Sequence, residues 1–177
     1  MDSDREAAFE AFALGRQAAL FRLAFLLSGD RHQAEDLVQS TLERTYQHWR
    51  RVAAADNPEA YVRRMLVNAA SDWRRSRRYM VEQRQDGALA LPSRRDGSTD
   101  RVESHDVVLR ALRGLPARMR AVLVLRYFED LSEAETASAL DCWVGTVKSQ
   151  ASRGLARLRA AMDPKPGAGE FRDRSTS

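Results

Sequence analysis

Between Cys142 and Met162 the chain carries Lys148, Arg153, Arg157 and Arg159 and no acidic residue. Thr146, Ser149, Gln150 and Arg153 recur at three- and four-residue spacing, so on a helix they share one face. Their side chains can read base edges, whereas Lys148 and Arg157 suit phosphates. A second collection lies upstream. Arg63, Arg64, Arg74, Arg75, Arg77 and Arg78 surround Trp73 and Tyr79. Guanidinium forks bind phosphates and aromatic rings stack on unpaired bases. Six such charges on one short helix would repel each other unless a polyanion screened them. Neither collection makes or breaks covalent bonds. The chain shows no phosphate-binding glycine loop, no paired acids in an evident cleft and no nucleophile with a base in register, so it reads as a binding protein and not an enzyme. Cys142 is the lone cysteine, and His32, His48 and His105 are isolated, which leaves no metal or cofactor to expect.

The elements that must hold the downstream set form a helix-turn-helix. Ser132 and Glu135 make a capping box, with Ala134, Ala137 and Leu140 spaced to face a core. Asp141 tolerates the left-handed turn that must follow. A second helix starts near Gly145, with Val147, Ala151, Leu155, Leu158 and Met162 as its buried stripe. The start of the second helix in such a motif enters the major groove. An amphipathic hairpin with a merely solvated basic face is the bland alternative.

The upstream set needs a helical bundle. Phe9, Phe12, Leu20, Leu23 and Leu27 line one helix that should end at Gly29. Asp30 with Gln33 resembles a capping box for the next helix. There Ala34, Leu37, Val38, Thr41, Leu42, Thr45, Tyr46 and Trp49 follow an unbroken heptad-like spacing. Its other face shows Glu35, Asp36, Gln39, Ser40 and Glu43, either plain solvated surface or a docking strip for a basic partner. Asn57-Pro58-Glu59 opens a third helix, whose buried side is marked by Tyr61, Met65, Ala69 and Trp73.

Residues 79–104 differ from both blocks: Gly87, Pro92 and Gly97 stand among charges of both signs, without apolar periodicity. This segment is expected to be a flexible linker. The fold expected is therefore all-α, two small helical domains over 1–78 and 105–162. Residues 163–177, which contain Pro and Gly, are expected to form a disordered tail. A formal net charge of +4 is modest for 177 residues, but its distribution matters more than its sum. Apolar runs such as Leu23–Leu27 and Ala121–Leu125 are too short to span a bilayer, and no membrane insertion is expected in a chain read as soluble and cytoplasmic.

A family resemblance joins the two blocks. Asp36-Leu37-Val38-Gln39 with Leu42 and Trp49, Tyr61-Val62-Arg63-Arg64-Met65-Leu66-Val67-Asn68, Leu115-Pro116 with Val122 and Arg126-Tyr127, and Gly145-Thr146-Val147-Lys148-Ser149 resemble the extracytoplasmic-function (ECF) sigma-70 factors, the actinobacterial SigE-like group most closely. The resemblance implies a promoter-specificity subunit of RNA polymerase. It makes the first block region 2, with Asp36, Gln39 and Glu43 on the polymerase β′ clamp helices. The Arg50–Asn57 loop and Asn68 would hold a flipped −10 base, and Arg63, Arg64, Trp73, Arg74, Arg75, Arg77 and Arg78 the adjoining strand. The second block becomes region 4, which sits on the β flap and reads the −35 element through Thr146, Lys148, Ser149, Gln150, Arg153 and Arg157. Many members of the group are held inactive by an anti-sigma factor, which is thus a candidate partner.

Gln150 stands where the family usually has arginine, Asp141 where a turn glycine is common, Cys142-Trp143 where smaller polar residues are usual, and Thr136 where a branched apolar residue is normal. Gln150 favours adenine in place of guanine. Trp143 is read as an apolar anchor under the turn, with a DNA or partner contact as the other reading. A free-standing helix-turn-helix repressor or activator, dimerising through its first block, is the competing class. An RNA-binding module lacks the sheet platform it would need.

Overall fold

A computed structural model describes the backbone of residues 2–84 and 102–162 and the side chains of 3–76 and 107–162. Its helices are α1 (Asp2–Ser28), α2 (Arg31–Gln47), α3 (Trp49–Ala53), α4 (Pro58–Arg84), α5 (Val102–Arg113), α6 (Ala117–Tyr127), α7 (Glu133–Ala139) and α8 (Val144–Met162). No strand occurs among the described residues. The all-α reading therefore holds, in two helical blocks.

Local chemistry sets most helix ends. Gly29 takes a φ of +76°, and its N–H meets the Phe25 carbonyl at 2.7 Å, closing α1 where only a residue at ease with positive φ fits. Asp30 accepts from the Gln33 N–H at 2.9 Å to cap α2, and Asn57 does the same for the Ala60 N–H to cap α4. One continuous run to Trp49 was expected. Instead the chain breaks at His48 (φ −108°, ψ 20°), and Trp49 begins the separate α3. Its indole is buried against Phe9 and Phe12 all the same. The segment expected as a loop from Arg50 to Asn57 is thus helical as far as Ala53. At its far end α4 runs to Arg84, into the segment expected as linker. Residues 85–101 and the expected tail, 163–177, lie outside the described residues.

Packing corrects three stripes. In α4 the buried residues are Val62, Leu66, Val67 and Ala70, while Tyr61, Met65, Ala69 and Trp73 sit half-buried beside them. The stripe is displaced because α4 packs on α1 and α2 and also on α6 and α7 of the second block. In α7 Ala134 is exposed, and Thr136, Ala137 and Ala139 face inward. In α8 Met162 is exposed at the helix end, while Gly154 is buried, where an added Cβ would lie 3.1 Å from Leu123 Cδ1.

The two blocks share a core. Leu23, Leu27, Val52 and Leu66 of the first meet Val124, Leu125 and Ala139 of the second in one apolar cluster. Seven consecutive residues of α6, Met119 to Leu125, are buried, which is the signature of a helix covered on every side. At this seam Arg120 is 1% exposed. Its guanidinium donates to the Leu27 carbonyl at 3.0 Å and to the Arg113 carbonyl, joining the C-terminal ends of α1 and α5. Both ends carry partial negative charge, so a cation belongs there. By length and composition Ser3–Ser28 could cross a membrane, contrary to the expectation from apolar runs. Its residues Leu20, Leu23, Ala24 and Leu27 lie instead in the shared core.

Candidate nucleic-acid and polymerase interfaces

The helix-turn-helix is built as its sequence demands. Ser132 Oγ accepts from the Glu135 N–H at 3.1 Å, and a Glu135 carboxylate oxygen accepts from the Ser132 N–H at 2.7 Å. Ser132's hydroxyl, followed by its backbone N–H, holds the Glu135 carboxyl below the ordinary carboxylate range. Asp141 turns the chain at a φ of +49°. Val147 is wholly buried against Val122 and Ala137, which fixes the rotation of α8 about its own axis.

That rotation turns the cationic face outward. Arg153 and Arg157 are exposed on the face that carries Thr146, Ser149 and Gln150, all three half-buried, while Lys148 is exposed on the opposite flank of α8. Arg153 and Arg157 make no ion pair among the described residues. Lys148 reaches Glu133 Oε2 at 3.5 Å, a loose surface pair, and Ser149 Oγ donates back to the Thr146 carbonyl at 3.0 Å. Trp143 is 86% exposed, so it is not an anchor under the turn. Cys142 packs inward in its place.

The arginines of α4 are arranged differently. Arg63, half-buried, donates from Nε to Glu129 Oε2 at 3.2 Å, and Arg64 lies 3.8 Å from Asp141 Oδ1. Both acids belong to the second block. Asn68 and Arg75 are exposed, and Trp73 and Arg74 are half-buried. Arg77 and Arg78 continue the helix, with side chains outside the described residues. With 27 residues α4 is not short, so Arg63 stands about 16 Å along the helix from Arg74 at about 1.5 Å per residue. Glu129 and Asp141 thus relieve the charge at Arg63 and Arg64 without a polyanion.

On α2, Asp36, Gln39 and Glu43 are exposed in one strip, with Gln39 Nε2 donating to Glu43 Oε1 at 3.1 Å. The strip borders a groove of about 1080 Å³ between α1 and α2. Phe9, Phe21, Val38 and Leu42 line it together with Glu10 and Glu43. The contribution of α1 was not foreseen. Its signal in the sequence is the pair Leu14 and Phe21, seven residues apart and off the stripe of Phe9, Phe12 and Leu20. Among the described residues no group of His, Cys, Asp or Glu could hold a metal.

Comparison with known proteins identifies the family. Residues 14–79 match the Sigma-70 region 2 family and residues 105–158 the Sigma-70 region 4 family. The chain is 37% identical over 160 residues to the RNA polymerase sigma-E factor of Streptomyces avermitilis, covering 89% of this chain and 86% of that one. It belongs to the extracytoplasmic-function sigma-70 family. It is also 32% identical over 151 residues to the ECF RNA polymerase sigma factor SigL of Mycobacterium tuberculosis, covering 82% and 83% of the two chains. Among solved structures it is similar to the sigma factor RpoE of Bartonella quintana in complex with the anti-sigma factor NepR, with a TM-score of 0.70 and 27% identity over 88% of this chain and 96% of that one. The ECF protein is therefore an RNA polymerase sigma factor, a promoter-recognition subunit and not an enzyme. The competing reading, a free-standing repressor or activator, is not favoured.

Proposed function

We propose that this sigma factor divides promoter recognition between the blocks, with 1–78 acting as region 2, 105–162 as region 4 and 79–104 as the connection. The carrying observation is the outward face of α8, where exposed cations flank Thr146, Ser149 and Gln150 on a helix clamped by buried Val147. On this reading Gln150 and Arg153 read −35 bases, while Lys148 and Arg157 hold phosphates. Asn68, Trp73, Arg74, Arg75, Arg77 and Arg78 serve the opened −10 strand, and Arg63 and Arg64 join them once they exchange Glu129 and Asp141 for phosphates.

Asp36, Gln39 and Glu43 receive the polymerase clamp helices, with the adjoining α1–α2 groove supplying apolar contact. Region 4 rests on the β flap. Its work is cytoplasmic, where the polymerase is. An anti-sigma factor is a fitting partner, because the similar Bartonella quintana protein is bound to one.

Run-off transcription with purified core polymerase on a genomic template pool tests the assignment. Discrete promoters sharing −35 and −10 motifs are expected, and Asp36→Arg should abolish copurification with core. Transcripts independent of the added protein, or normal retention of Asp36→Arg on core, would contradict it.

A further inference from the structure

Trp143 breaks two rules at once. Its carbonyl accepts from the Thr146 N–H at 2.9 Å and the Val147 N–H at 3.2 Å, which makes it the residue that starts α8. Helix starts favour Ser, Thr, Asp or Asn, whose side-chain oxygen satisfies a free N–H, and an indole has none to offer. Nor does it pack: 86% of it is exposed, while its neighbour Cys142 joins Val122, Ala137 and Val147. One exposed apolar side chain is ordinary on a protein surface, but an indole at a helix start that neither caps nor packs breaks a local preference with no compensating local gain, which points to a role outside the fold.

Position names the occupant. Trp143 sits three residues before Thr146 and five before Lys148, at the end of the recognition helix that meets the major groove first. The groove wall offers one apolar group, the C5-methyl of thymine. We infer that the Trp143 indole packs on a thymine methyl at the edge of the −35 element and is a specificity-determining residue. This rests on the reading of α8 as the −35 helix. The contact involves an intact duplex and requires no base to leave the stack.

The test uses holoenzyme assembled from this chain and core polymerase. A preferred −35 duplex is first selected from a randomised pool, and each thymine is then replaced singly by deoxyuridine, which deletes only the methyl group. Wild-type holoenzyme should lose about fourfold in affinity at one position, the worth of one buried methyl-sized group. Trp143→Ala should bind the original duplex about fourfold more weakly and ignore that same replacement. Trp143→Phe should keep much of the sensitivity.

A selected element with no uracil-sensitive position, or a Trp143→Ala holoenzyme as uracil-sensitive as wild type, overturns the inference. Arg153→Ala separates the two levels. If it weakens binding while the uracil scan stays flat, only the role of Trp143 fails. If it changes nothing, the assignment of α8 fails with it.

Discussion

The arginines of α4 and those of α8 carry the same charge into opposite surroundings. Arg63 and Arg64 face Glu129 and Asp141 across the seam between the blocks, whereas Arg153 and Arg157 point into solvent with no acid opposite them among the described residues. Arg120, on α6, is a third case, buried and bound to two backbone carbonyls. A guanidinium therefore reports nothing about ligand binding until its tertiary neighbours are known. On α8 the charge is open to a polyanion. At Arg63 and Arg64 of α4 a polyanion must compete with Glu129 and Asp141, and on α6 the charge belongs to the architecture.

The strongest way to break this contrast is at Arg120. Arg120→Ala leaves a cavity and strips the Leu27 and Arg113 carbonyls of their donor, and should cost about 3 kcal/mol in urea denaturation. A loss below about 1 kcal/mol would show the seam to be ornamental. Next come the solvent-facing arginines. Arg153→Ala and Arg157→Ala should leave stability within about 0.5 kcal/mol of wild type. Arg157→Ala, which removes a phosphate contact, should also lower the salt-dependence slope of promoter binding by about 1, whereas Arg153→Ala, which removes a base reader, should relax preference among −35 variants. An unchanged slope and an unchanged preference would place the duplex elsewhere.

A double-mutant cycle on Arg63→Ala and Glu129→Ala should then give a coupling of about 0.5–1 kcal/mol, since both side chains are 21% exposed and solvent screens the pair. Zero coupling would erase the difference between α4 and α8. The smallest effect is one of pH. The carboxyl of Glu135 titrates lower in the folded chain than in the unfolded one, so its contribution is complete above the unfolded value and fades as pH falls through the folded one. The thermal stability advantage of wild type over Glu135→Ala should shrink in that acid window. A constant gap across it would show that the Ser132 contact does not depend on the charge.

Much of the helical framework was legible because it is local. Capping at Asp30, Asn57 and Ser132, the positive-φ positions Gly29 and Asp141, and the outward face of α8 depend on residues within one or two turns of each other. The break at His48 escaped because an unbroken apolar spacing was read as one helix, although the same spacing survives a change of axis. Trp143 was misplaced under the turn because an indole is usually covered, and Cys142 beside it fills that space.

By itself the sequence determined the helix starts at Asp30, Asn57 and Ser132, the stop at Gly29, the helix-turn-helix and the family, since each is carried by short spacings of side chain and backbone. Only the tertiary structure decided that the blocks share one core, that α4 turns Val62 and Leu66 inward, and which arginines are engaged. Those outcomes join residues far apart in the chain, such as Leu27 with Arg120 and Arg63 with Glu129. Periodicity along one helix records which side is apolar. It holds no record of which distant surface will arrive to cover that side, or of the charge that surface brings.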